Sequence, residues 1–479
     1  MVDWIDRPLA EIATALKDGS LSAIELGEQS IDCHNRWNAL FKAYKNWQPE
    51  KIKDQASIAD AAFKKGVHLG GLQGIPISIK DLYGVRGYSV FAGSPKQLPA
   101  EYEIEGPIVS TIRDQLCVIS GKTHTVEFAF GGLGTNPHWG TPRNPWDAKN
   151  YRVPGGSSAG AGVSLIEGSS LIALGTDTGG SVRIPASMTG NVGIKNTLNR
   201  WSTKGIVPLS TTFDTPGILA KSVADLVFAF ESIDTQCSQT SPISVRDIST
   251  ITIATTKDFF WDQCQSDIGN VVENAIMELS GARAKIINID FQEAYEAVRV
   301  MAKGTIAASE GYQHLANKLP DWIDTLDPNV ASRMATGRDA SSSDYQKALK
   351  QLNKLWALAS DRLSVVDVLA VPTVPITPPK IDDVADTVAY SVKNMAALSN
   401  TMAANALNLC AVTIPVGLDK AGMPVGLQLL AMANSEENLL AVALAFENIL
   451  GTPRDRLGKA PLGGAAPCKR QVSWKSTCH

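Results

Sequence analysis

Two glycine–glycine–serine clusters, Gly155-Gly156-Ser157 and Gly179-Gly180-Ser181, constrain this chain more than any other feature. They bracket a helix-sized segment, Ser158 to Glu167, and an apolar run, Leu171 to Leu174, that reads as a buried strand. Glycine before serine opens backbone conformations closed to other residues and brings bare N–H groups close to a ligand. Ala159, Gly160, Ala161 and Gly162 start the helical segment, and residues that small let a helix lie close to a sheet. A third piece lies upstream. Gly74 to Ile79 is a short β-branched strand that delivers Lys80 and Asp81 at its end.

These pieces limit the chemistry. A Ser-His-Asp triad needs a histidine near the serine. Of His34, His68, His124, His138, His314 and His479, only His124 and His138 lie near these segments, and neither context suggests a triad base. No G-x-S-x-G elbow surrounds Ser157 or Ser181. A serine–lysine system is the other solution, and Lys80 supplies the amine. Each piece alone has a plainer reading. Ser157 and Ser158 would cap the following helix, Ser181 its own, and Lys80 beside Asp81 would be a strand-end charge. Cys410 sits in a strand pattern and reads as core. No H-E-x-x-H or Cys/His cluster occurs, so neither a metal nor a cofactor is expected. A nucleotide-binding protein using the glycine-rich loop is a reading from another class, but the loop lacks the G-K-[ST] ending of a P-loop.

Taken together, Lys80, G-G-S-S-A-G from Gly155 and G-T-D-T-G-G-S-V-R-I-P-A from Gly175 resemble the amidase signature family of serine hydrolases. So do Gly121-Lys122-Thr123 with Glu127-Phe128, Gly140 to Trp146, Asp367 to Thr373 and Pro424 to Gln428. The resemblance spans roughly residues 5 to 455. It implies one large α/β domain, with a central mixed, mostly parallel sheet covered by helices on both faces. It implies Ser181 as nucleophile, Ser157 as bridge and proton relay behind a cis Gly156–Ser157 peptide, and Lys80 as base. Burial among Ile77, Ile79 and Leu82 would lower the lysine's pKa and leave it able to accept a proton. Backbone N–H groups of Thr178, Gly179, Gly180 and Ser181 would form the oxyanion hole. Asp177 and Arg183 would be a structural ion pair.

The expected reaction is hydrolysis of a small carboxylic amide, with esters, anilides or carbamates able to share the route. The glutaminase subunit of a tRNA-dependent amidotransferase is a rival on the same fold. It recognises glutamine partly through an acid just before the segment equivalent to Thr401 to Asn405, and this chain has Leu398 there. An allophanate-type hydrolase is a further rival, and the C-terminus leaves no room for its usual extra domain. Phe130, Leu133, Trp139 and Leu398 are the candidate substrate-binding residues, and they lean apolar, toward an aryl or alkyl acyl group. Similar enzymes suggest a homodimer.

Composition adds limits. The net charge of −4 gives no basic footprint for nucleic acid. Seven scattered cysteines without a C-x-x-C pair fit free thiols in a reducing compartment. The N-terminus carries acids where a secretory signal needs basic then apolar residues, and no apolar run is long enough to span a membrane. A cytoplasmic enzyme is therefore expected.

The expected organisation is an N-terminal helical layer over residues 1–65, a catalytic domain over 66–455 and a loosely ordered tail over 456–479. Within the first, Leu9, Ile12, Ala13 and Leu16 repeat at helical spacing, and Ser22 with Glu25 has capping-box spacing. Residues 292–365, with Trp322, Arg338 and Trp356, read as helical and in the resemblance help cover the pocket.

Overall fold

Sequence alternation along one central strand puts helices on both faces of the sheet. Ile172 and Leu174 join the core cluster that holds Leu226 and Phe230 of the helix Val223–Ile233. Ala173, between them, joins a second cluster with Ala161 and Leu165 of the helix Ala159–Glu167. Successive strand side chains point to opposite faces, so one strand serves two cores. The computed structural model describes residues 3–236 and 242–464.

Among the described residues one sheet has eleven strands. They are β1 Tyr44–Trp47, β2 Pro76–Lys80, β3 Val118–Thr123, β4 Ile172–Asp177 and β5 Val192–Lys195. Next come β6 Thr215–Ala220, β7 Thr252–Thr255 and β8 Lys285–Asn288. The last are β9 Val368–Pro372, β10 Cys410–Leu418 and β11 Pro424–Ala431. Their spatial order is β1-β3-β2-β4-β6-β5-β10-β11-β9-β7-β8.

The sheet is mixed, as expected, but it is not mostly parallel. Parallel pairing joins β2 to β3 and β4, and β7 to β8 and β9. The other six pairings are antiparallel. Strands separated by helical runs do pair in parallel around β2 and β7. The centre reverses because β10 and β11 form a hairpin through the turn at Gly422, and because β6 runs against both β4 and β5.

The N-terminal segment starts with the helix Leu9–Asp18, which buries Leu9, Ile12 and Leu16 as read, with Ala15 rather than Ala13 completing the stripe. Ser22 and Glu25 close a reciprocal capping box on the helix Ala23–Phe41. The segment is not wholly helical, however, since β1 lies inside it and pairs with β3. Four α-helices, Gln292–Ala302, Ala307–Lys318, Pro328–Arg338 and Ser342–Leu363, fill most of 292–365. The start of the tail is held rather than loose. Leu462 N–H donates to Pro145 O, and Gly464 N–H donates to Ile166 O at 2.9 Å. Residues 465–479 lie outside the described residues.

Candidate active site

β2 carries Lys80 to the interior, where it is fully buried. Its Nζ lies 2.7 Å from Ser157 Oγ and 2.8 Å from Thr176 Oγ1. Among the described residues no carboxylate hydrogen-bonds it. The adjacent Asp81 is committed elsewhere, to Lys122 Nζ at 2.9 Å and to the Phe91 N–H at 3.1 Å. Fully buried, Lys80 is not the plain strand-end charge that the sequence left open. Burial drags the Lys80 ammonium from its ordinary 10.5 down to about 7, against an opposing pull from the Asp214 and Asp177 carboxylates. Near neutral pH the amine is free to accept a proton.

The Gly156–Ser157 peptide is cis. Ser158 N–H donates to Ser181 O at 3.2 Å, which ties the two glycine–serine loops together. Among the described residues neither loop supplies a side-chain helix cap. Ser158 makes no side-chain cap bond to Ala159–Glu167, and the N-cap position of the helix Arg183–Thr189 is Val182. Ser181 lines a cavity of about 260 Å³.

The nucleophile loop is held from beneath. Asp177 and Arg183 are both fully buried, and the Arg183 Nε and Nη2 donate to the two Asp177 oxygens at 3.0 and 2.8 Å. Arg183 also reaches Thr401 O, Gln428 Oε1 and Asn405 Oδ1. Despite its burial, Asp177 is held well below the usual carboxylate range by the Arg183 charge and hydrogen bonds. Its Oδ1 also accepts the Gly180 N–H at 2.8 Å. That bond removes Gly180 from the expected set of oxyanion donors. The N–H groups of Thr178, Gly179 and Ser181 meet no protein acceptor among the described residues, and these three residues line the cavity. Gly180 has a different task. Its φ is +131°, and a Cβ there would sit 2.1 Å from Thr401 Oγ1.

The cavity only half matches the expected substrate set. Phe130 and Leu398 line it. Leu133 is instead fully buried in the core. Trp139 stands apart, its indole N–H donating to Ser94 O at 2.8 Å while Lys45 Nζ lies over its ring. Sequence reasoning passed over Thr176, Asp214, Asn394 and Arg333. Asp214, pushed up to about 6 by burial, accepts the Thr178 hydroxyl at 2.5 Å. Met301, Lys303, Arg333 and Thr336 bring the 292–365 segment over the cavity. Of its arginines it is Arg333, not Arg338, that faces inward, and Arg338 pairs with Asp339 at the surface. A larger groove of about 550 Å³, between Arg7, Trp146 and Arg454, contains none of these residues. Among the described residues no side-chain group suits a metal ion, and no helix is long and apolar enough to cross a membrane.

This framework is that of a hydrolase. The profile of the amidase family matches residues 25–440, and the chain belongs to that family. It is 43% identical over 455 residues to the 2-amino-5-chloromuconic acid deaminase of Comamonas testosteroni, covering 95% of this chain and 98% of that protein. A glutamyl-tRNA(Gln) amidotransferase component from Rhizobium meliloti is more distant, 29% identical over 94% of this chain and 98% of its own length. A crystal structure of an amidase superposes with a TM-score of 0.83 at 26% identity, covering 93% of this chain and all of that one. The chain is thus an amidase-type enzyme acting on carbon–nitrogen bonds.

Proposed function

We propose that the chain cleaves an amide or related C–N bond through an acyl-enzyme on Ser181, with Lys80 as base and Ser157 as relay. Ser181 Oγ attacks the substrate carbonyl carbon. Its proton passes to Ser157 Oγ while the Ser157 proton passes to neutral Lys80 Nζ. The carbonyl oxygen, now an alkoxide, is received by the N–H groups of Thr178, Gly179 and Ser181. As the C–N bond breaks, the proton returns from Lys80 through Ser157 to the departing nitrogen. Water then attacks the acyl carbon, giving its proton through Ser157 to Lys80, and as the acyl–oxygen bond breaks that proton returns through Ser157 to Ser181 Oγ and the acid leaves. The observation that carries this reading is the 2.7 Å approach of a buried, unneutralised amine to Ser157.

The 43% identical relative acts, by its name, on a substituted muconic acid, which supports a small unsaturated carboxylic acid as the substrate class. The glutaminase rival fits the cavity less well. Among the described residues its charged lining is Lys303 and Arg333, with no carboxylate to meet an α-ammonium. Buried free thiols at Cys33, Cys117 and Cys410 support work in the cytoplasm.

The test is a screen of amides, anilides, esters, carbamates and glutamine, with Ser181→Ala as blank and mass spectrometry for an acyl adduct. An adduct on the Ser181 peptide is expected. Turnover that survives Ser181→Ala removes the acyl-enzyme from the account.

A further inference from the structure

The cavity holds a cation that the hydrolytic chemistry does not use. Arg333 lies on the helix Pro328–Arg338, half-buried against the cavity wall. Its Nη1 donates to Phe130 O at 2.8 Å, and its Cζ lies 4.0 Å from the centre of the Phe130 ring. These contacts fix the plane of the guanidinium and neutralise nothing. No carboxylate pairs with Arg333 among the described residues, and the phenol of Tyr390 acts on its charge. A guanidinium has five N–H donors and stays charged at any physiological pH. Leaving it partly desolvated without an anion is costly unless a ligand supplies one.

A second group in the same wall points the same way. Asn394 is fully buried and lines the cavity. Its Oδ1 accepts the Gly132 N–H at 2.7 Å, which fixes the amide orientation. Its Nδ2 then has no acceptor among the described residues. A buried donor without a partner is rare in a folded protein. One ligand oxygen would satisfy it. Lys303 adds a second positive charge to the lining, which has no acid among the described residues.

We propose that Arg333 and Asn394 Nδ2 form a carboxylate-binding subsite, so that the substrate presents its scissile bond to Ser181 and a free carboxylate to Arg333. This rests on the hydrolytic reading of Ser181 and adds a specificity-determining residue to it. The same feature corrects the apolar pocket expected from Phe130 and Leu398. Those side chains flank the carbon chain of the substrate, and its far end is anionic.

The experiment uses adipamate, a six-carbon acid with one amide and one carboxylate, against adipamide, its neutral counterpart. Calorimetric titrations into the Ser181→Ala protein, with and without Arg333→Met, read binding apart from turnover. Adipamate is expected to bind about 30- to 5000-fold more weakly once Arg333 is lost, the range for truncating one partner of a buried charge pair. Adipamide should bind alike in both proteins. Arg333→Lys keeps the charge without the fork and should fall between, and thermal melting checks that each variant is folded. Adipamate and adipamide weakened equally, or adipamate unaffected or not bound at all, overturns the subsite. Adipamate bound through Arg333 but never hydrolysed by wild-type protein leaves the subsite standing and removes the hydrolytic reading instead.

Discussion

Asp177 grips Arg183 through both carboxylate oxygens at the floor of the nucleophile loop, with neither side chain exposed to solvent. Three further acceptors, Thr401 O, Gln428 Oε1 and Asn405 Oδ1, complete the guanidinium's bonding. Removing one partner strands the other charge in the core. Asp177→Ala should therefore destabilise the fold by about 3–5 kcal/mol, measured by denaturant unfolding at pH 7. A loss below about 1 kcal/mol would mean that the pair is replaceable.

Gly180 tests the loop without touching a charge. A side chain there meets Thr401 Oγ1, and the backbone sits at φ +131°. Gly180→Ala should shift the N–H groups on either side and lower kcat by about 10²–10³, the effect of losing an oxyanion donor. Melting temperature should fall as well, because the added Cβ overpacks a buried site and strains the backbone. Full activity in this variant would exclude the loop from transition-state binding.

Lys80 contributes a distinct pH signature to stability. Its folded pKa, about 7, lies below its ordinary 10.5. Between those values the unfolded chain binds more protons, so this group's contribution to stability rises with pH from about 7 to 10.5 and is lowest below 7. Lys80→Met should then raise the melting temperature most at pH 6 and progressively less toward pH 10. A shift independent of pH would place the folded lysine near its ordinary value. Turnover should fall by at least about 10²–10⁴, the contribution of a positioned base.

Asp214 is the first remote group that opposes the lowering of the Lys80 pKa, through its negative charge. Asp214→Asn keeps an acceptor for the Thr178 hydroxyl while removing that charge. The Lys80 pKa should drop further, moving the acidic limb of the rate profile to lower pH. An unmoved or higher limb would show that Asp214 does not act electrostatically on the amine.

Much of this site was legible in the sequence because its parts are local. Lys80, Ser157 and Ser181 each stand at the end of a strand or in a glycine-rich turn, where residue type and spacing constrain the backbone. Ser22 and Glu25 could be read for the same reason. The parts that were missed depend on tertiary approach. Arg333 looks like any polar residue on an amphipathic helix, and only the packing of that helix against Phe130 turns it inward. Trp139 and Leu133 misled because an apolar residue near a motif gives no sign of which wall it joins. The commitment of the Gly180 N–H to Asp177 is a side-chain rotamer, invisible before coordinates. β6 was not read from the sequence, and with it went the antiparallel pairing to β4 and β5 at the centre of the sheet.

The central claim, that a neutral Lys80 arms Ser181 through Ser157, can be tested without knowing the substrate. The measurement is the rate at which a fluorophosphonate labels Ser181, followed from pH 5 to 10. It should rise about tenfold per pH unit on the acid side and level off above an inflection at about 7. A rate flat across that range, or labelling unchanged in Lys80→Ala, would contradict the account.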